Sequence, residues 1–215
     1  MNLDLITYGN PTQEQLGFLQ KENYCDSLFN ELSTYTFPKN SSEATIEELN
    51  TIVNNINGLK GKDNYLNRYK AYDRSLKKSF TELILKDVED RDAILSLISQ
   101  ILDDTNPLLM KLKYFHQRPR PYQLAQYYKL KLFPYESHSA DSPSFPSGHA
   151  FQSRLITEVI GNLYPQTYAL MQKVFTDICY SRVFMGLHYD SDIDVGIFCA
   201  DKVLAMKDFK EKYKL

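Results

Sequence analysis

Apolar and polar positions along this chain recur with helical spacing, and no stretch alternates with a period of two. Stripes three and four residues apart predict helices near 13–33, 44–57, 63–87 and 91–116 in the first half. A short helix is expected over 122–131, and longer ones near 148–163, 166–185 and 191–206. In the third segment Tyr65, Tyr69, Tyr72, Leu76, Phe80 and Leu83 share a face, which reads as a Tyr-rich core stripe rather than a platform for stacking bases. In the fourth, Ile94, Leu97, Ile98, Ile101, Leu108 and Leu112 form the inward stripe. Pro107 should kink that helix or divide it, and Arg118-Pro119-Arg120-Pro121 should end it, because a residue before proline is pushed out of the helical region. Thr45 followed by Glu48 reads as a capping box, and Asn57-Gly58 with Gly61 as a stop. Residues 133–146, rich in Ser and Pro, are the clearest loop. The expected fold class is all-α: one helical bundle domain over 1–215, residues 1–100 its N-terminal part, with the active site between helix ends in the core.

Composition narrows the function more than the fold. The 215 residues are 43% hydrophobic and 24% charged with a net charge of -2, so no general attraction to nucleic acid exists and any cationic site must be local. No apolar run approaches the roughly 18 residues of a spanning helix. The N-terminus, Met1-Asn-Leu-Asp-Leu-Ile, lacks a basic and then apolar leader, so a cytoplasmic chain is expected. Cys25, Cys179 and Cys199 follow no metal-ligand spacing and read as reduced, buried thiols.

Three blocks carry chemistry. In Pro146-Ser147-Gly148-His149, Ser147 stands where an N-cap belongs, ahead of the stripe Phe151, Leu155, Val159 and Leu163. A helix start with glycine beside it presents free amides to an anion and allows close approach. In the last block, Arg182 falls within the apolar stripe of Met171, Phe175, Ile178 and Met185. A guanidinium aimed at a core needs either a ligand anion or a protein carboxylate. His188 follows on a turn, and Ser191 is placed to cap the next helix with Asp192 in its first turn. An Asp bound to one imidazole nitrogen leaves the other free to attack. In the first block Lys111 and Arg118 lie seven apart, nearly on one helix face and roughly 10 Å along it. Of the other histidines, His116 reads as a helix-end residue, and His138 sits in the Ser/Pro loop, which is placed to close over the site.

The order Lys111-x6-Arg118-Pro119, Pro146-Ser147-Gly148-His149 and Ser181-Arg182-x5-His188-x3-Asp192 resembles the three-part signature of the type 2 phosphatidic acid phosphatase and vanadium haloperoxidase superfamily. The text from Ser144 to His149 and from Ser181 to His188 looks most like soluble class A bacterial acid phosphatases. Phe145 and Ala150 depart from the usual Tyr and Thr there, which limits the likeness to chemistry rather than substrate. It covers about 106–205. The resemblance implies a metal-independent phosphomonoester hydrolase. His188 would be the nucleophile forming a phosphohistidine, Asp192 its orienting carboxylate, and His149 the general acid and then base. Lys111, Arg118, Ser147, Gly148 and Arg182 would hold the phosphate oxygens. No cofactor is implied, and vanadate is expected to bind as a phosphate mimic. The expected partner is a small phosphoester, with no nucleic acid, and pairing into a homodimer suits such bundles.

The rival readings are a vanadate-dependent haloperoxidase using the same pocket, a lipid phosphate phosphatase, an inactive interaction bundle, and a calcium-binding module. The last rests on Asp190, Asp192, Asp194 and Asp201, which imitate an EF-hand loop with Val195 where its glycine belongs.

Overall fold

The helix that starts at the Pro-Ser-Gly-His block is apolar around most of its circumference, which is the mark of a helix surrounded by others. In the computed structural model, which describes residues 1–84 and 90–215 (side chains of 1–81 and 90–215), this helix is the axis of the fold. The helices are α1 (Gln13–Gln20), α2 (Phe29–Leu32), α3 (Glu43–Gly58), α4 (Asp63–Arg74), α5 (Leu76–Ile84), α6 (Arg91–His116), α7 (Pro121–Ala125), α8 (Gly148–Leu163), α9 (Tyr168–Phe184), α10 (Asp190–Ala205) and α11 (Lys207–Tyr213). Among the described residues there is no strand, and the fold is all-α as expected. The axial helix α8 buries Phe151, Leu155, Ile156, Val159 and Ile160 against α6, α9 and α10. Each such side chain contributes about 1.5–3 kcal/mol on leaving water.

Most boundaries follow the polarity pattern, and the departures have local causes. The stretch expected as one helix over 13–33 is interrupted, because Asn23 accepts from the Cys25 amide while Asp26 accepts from the Asn23 amide, starting a new 3-10 turn. The expected helix 63–87 breaks at Ser75, whose backbone is extended and whose hydroxyl caps the Lys78 amide of α5. The end expected at 87 and the packing of Leu83 lie outside the described residues. Within the stripe, Tyr69, Tyr72, Leu76 and Phe80 are buried while Tyr65 is half exposed.

Pro107 neither ends nor divides α6, which runs through it. The helix stops after His116, where Gln117 turns left-handed at φ 55° and donates its amide back to Lys113. The expected segment 122–131 is shorter, with α7 followed by a 3-10 turn over Gln126–Tyr128. The N-cap of α3 is Ser42 rather than Thr45, so Glu48 closes no capping box and its carboxylate is free for another task. The terminal α11, which buries Phe209 and Tyr213, was not anticipated from the pattern.

Two glycines position the part of the fold that matters chemically. A Cβ on Gly196 of α10 would stand 2.6 Å from the Ser147 carbonyl oxygen, so its absence lets α10 lie directly on the start of α8. Gly186, at φ +77°, makes the turn from α9 towards His188, and a Cβ there would meet Ile56 at 2.6 Å.

Candidate active site

Buried polar residues converge where α6, the loop 129–147, the start of α8 and the turn between α9 and α10 meet. His149, Ser147, Arg182, His188 and Asp192 are all buried there, as are Lys113, Arg118 and Arg120. A cavity of about 310 Å³ opens onto this cluster, lined at its inner end by Lys113, Arg120, Gly148, His149 and His188.

Asp192 fixes the state of His188. His188 Nδ1 donates to Asp192 Oδ2 at 3.0 Å, and the same carboxylate accepts from the Ser144 hydroxyl and from the Tyr189 amide at 3.1 Å. The other ring nitrogen, Nε2, faces the cavity and accepts from Arg120 Nη1 at 2.9 Å. A nitrogen that accepts from a guanidinium carries a lone pair, so the ring is neutral and protonated on Nδ1. Burial, then Arg120, holds its pKa well below the usual histidine range, with Asp192 opposing. Asp192 itself is kept ionised: burial alone would raise its pKa, but Arg118 beside it and the bonds from His188 and Ser144 more than offset this.

Ser147 is the N-cap of α8, as the pattern indicated, accepting from the Ala150 amide at 3.4 Å. Its own amide donates to the Asp192 carbonyl, which locks the helix start against α10. Gly148 and His149 therefore bring the positive end of α8 to the cavity. A Cβ on Gly148 would lie 3.3 Å from Leu109 and 3.6 Å from Lys113, so glycine keeps this corner open. His149 is buried, and burial followed by Arg182 depresses its pKa, with Asp73 and a bond to the Tyr72 backbone opposing.

The expected pair Lys111 and Arg118 does not line the cavity. Lys111 donates to Asp26 Oδ2 at 2.6 Å and to the Lys21 carbonyl at 2.8 Å, tying α6 to the segment after α1. Arg118 stands behind Asp192, donating to its Oδ1 at 2.6 Å, to Glu48 Oε2 at 2.9 Å and to the Ser191 hydroxyl at 2.8 Å. The cations at the cavity are two residues further on, Lys113 and Arg120. The reason is periodicity: at about 100° per residue, positions two apart fall on nearly opposite faces of α6. Asn106, Leu109, Met110 and Lys113 share the face that lines the cavity. The repeat Arg-Pro-Arg-Pro makes the spacing Lys-x6-Arg-Pro occur twice, at 111–119 and at 113–121, and this duplication was the available signal. Lys113 donates to the Pro143 carbonyl at 2.7 Å, and Arg120 to the Ser142 and Leu187 carbonyls at 2.9 Å. Burial lowers the pKa of both, with the Arg120 charge a further cause for Lys113.

Arg182 is buried, as its position on an apolar stripe required, and its anion is Asp73 of α4 at 2.8 Å. Asp73 also accepts from the Ser137 and Ser139 hydroxyls and from the His138 amide, all at 2.6 Å, pinning the loop against α4. Arg182 reaches Ser139 at 3.2 Å, while its Nε is buried without a partner. Asp73 and Glu48 were not found from sequence, since an acidic residue on an amphipathic helix looks like any solvated one. Of the remaining histidines, His116 is packed edge-on to Phe115 and Phe145, with burial lowering its pKa to about 4, and His138 is exposed, its backbone amide donating to Asp73.

The calcium-loop reading fails on geometry. Residues 190–205 are continuous helix, and Asp192 is fully engaged by His188, Ser144 and Arg118. Ser191 is not the cap of α10; Tyr189 holds that place, and Ser191 gives its amide to Glu48 and its hydroxyl oxygen to Arg118. Among the described residues no helix is long and apolar enough to cross a membrane.

No curated protein sequence matches the chain. Among solved structures, it is similar to the transmembrane PAP2-type phosphatidylglycerolphosphate phosphatase from Bacillus subtilis, at 18% identity over 87% of this chain and 94% of that one, with a TM-score of 0.44. The sequence profile of the PAP2 superfamily matches residues 93–201, the span that holds Lys113, Arg120, His149, Arg182, His188 and Asp192. On that match over half its length the chain belongs to the PAP2 superfamily, with phosphatase-type function.

Proposed function

We propose that this chain is a metal-independent phosphomonoester hydrolase of the acid phosphatase type, working through a phosphohistidine on His188. One observation carries the reading: His188 presents a lone pair at Nε2 to a cavity whose inner wall is made of Lys113, Arg120 and the start of α8, while Asp192 holds the opposite nitrogen. A phosphoryl dianion bound there would draw Arg120 off Nε2 onto its own oxygens. Nε2 attacks phosphorus, the N–P bond forms as the ester P–O bond breaks, and the leaving alkoxide takes a proton from His149. Water then attacks the phosphohistidine, giving a proton to His149, and phosphate leaves with His188 neutral again. Lys113, Arg120, Arg182 and the amides of Gly148 and His149 match the charge that spreads over the equatorial oxygens. Vanadate, which adopts the same trigonal-bipyramidal shape, is expected to inhibit competitively.

The test is turnover of a phosphoester panel in EDTA. Wild-type chain should hydrolyse several esters, and His188→Ala should reduce turnover by at least about a thousandfold. Lys113→Met should cost about a hundredfold or more, the scale of a lost oxyanion partner, while Lys111→Met should retain most activity. Undiminished turnover in His188→Ala would remove the nucleophile and the proposal.

A further inference from the structure

One side of the cavity mouth is built by residues that precede the PAP2 segment. Helix α1 presents Glu14 and Phe18, one turn apart on one face, to the same cavity that holds His188 at its inner end. Asp141 of the loop stands on the rim as well. The backbone segments that carry Glu14 and Asp141 are joined by the buried Gln15 side chain. Its Oε1 accepts from the Thr12 amide at 2.8 Å and the Tyr114 hydroxyl at 2.6 Å, and its Nε2 donates to the Asp141 carbonyl at 2.8 Å. One side chain thus fastens α1, α6 and the loop into a rigid collar. Between collar and inner wall lie the apolar faces of Phe18, Leu109 and Met110, with Asn106 and Gln152 paired to each other at 2.6 Å.

The charges are sorted along the cavity. The cations Lys113 and Arg120 are at the buried end, where a phosphoryl group would neutralise them; the carboxylates Glu14 and Asp141 are at the exposed end. With phosphate bound, what faces the leaving group is an apolar strip rimmed by negative charge. We infer that α1 and Asp141 make this a site for phosphomonoesters whose leaving group has an apolar face and is uncharged or cationic, and that it discriminates against leaving groups carrying an anion of their own. This rests on the phosphatase reading above. Like charges brought together at a partly exposed rim are worth about a fivefold to tenfold difference in capture, and salt screens that difference.

Three esters with one ring test it: phenyl phosphate, 4-(aminomethyl)phenyl phosphate and 4-(carboxymethyl)phenyl phosphate, assayed with the full chain at low and high salt. The expected kcat/KM for the carboxymethyl ester is about fivefold to tenfold below that for the aminomethyl ester at low salt, shrinking at high salt. In Glu14→Gln/Asp141→Asn that ratio should approach unity. Equal handling of the charged pair by the wild-type chain, or a ratio unmoved by the double substitution, overturns the inference and leaves the phosphatase reading standing. Failure to turn over any of the three removes the phosphatase reading and this inference with it.

Discussion

Replacing Arg118 with methionine isolates what the guanidinium behind Asp192 contributes. The wild-type side chain is fully buried and joins two carboxylates, Asp192 at 2.6 Å and Glu48 at 2.9 Å. Methionine fills similar space but leaves Asp192, with no exposure, facing only His188, Ser144 and a backbone amide. Breaking a buried pair from one side costs about 3–5 kcal/mol, a large part of the roughly 5–15 kcal/mol that holds a domain together. With a urea slope of about 2–2.5 kcal/mol/M, the midpoint should fall by roughly 1.2–2.5 M. The effect has a pH signature. In the wild-type chain the Asp192 pKa is depressed, so its contribution is present above the unfolded carboxylate pKa and lost only as pH falls through the lower folded value. In Arg118→Met the largest charge opposing burial is gone, the folded pKa rises, and protonation relieves the strain as the medium becomes acidic. The difference between the two proteins should therefore be largest near neutrality and shrink towards about pH 4. Circular dichroism during urea unfolding at several pH values measures it, and adding Asp192→Asn should restore part of the loss. A variant within about 1 kcal/mol of wild type at neutral pH, or a loss independent of pH, would refute the reasoning.

Other outcomes follow from the same geometry. The depressed pKa of His149 in the free chain places the alkaline limb of kcat/KM below the usual histidine range. A bound phosphoryl dianion raises that pKa, so the limb of kcat should lie higher; coincident limbs, or a rate still climbing near pH 9, would contradict the assignment of His149 as acid. Gly196→Ala puts a methyl 2.6 Å from the Ser147 carbonyl and should cost about 1–3 kcal/mol by thermal or urea unfolding, with weaker vanadate binding because the α8 start is displaced. Asp73→Asn breaks the buried pair with Arg182 and loosens three bonds to the loop, so amides of 137–139 should exchange faster with deuterium. Leu155→Ala, at a fully buried position of α8, should lose about 2–5 kcal/mol in the same unfolding assay.

What could be read from sequence divides by the range of the interaction. Helices α8, α9 and α10 were legible because apolar residues recur along them at helical spacing and are bounded by turn residues such as Pro146, Pro165 and Gly186. Ser147 as cap and Arg182 as a core arginine were legible for the same reason, each being out of place in its local pattern. The choice between Lys111 and Lys113 was not, since both precede an Arg-Pro at equal spacing and only the orientation of α6 separates them. Breaks at Asn23 and Ser75 were hidden because a capping side chain within a polar stretch resembles any surface residue. Asp73, Glu48 and Gln15 were hidden more deeply, because their partners lie 109, 70 and 126 residues away.

Those separations bear on how the protein assembles itself. Two buried guanidinium groups of the cluster take a carboxylate from the other half of the chain, through Arg182–Asp73 and Arg118–Glu48. Contacts so distant along the chain form late, after loop-closure entropy has been overcome. Until α4 docks, the signature segment would have to bury Arg182 without its carboxylate, which disfavours closing α8 and α9 upon one another first. Docking of α4 and completion of the catalytic centre are thereby coupled through one buried ion pair.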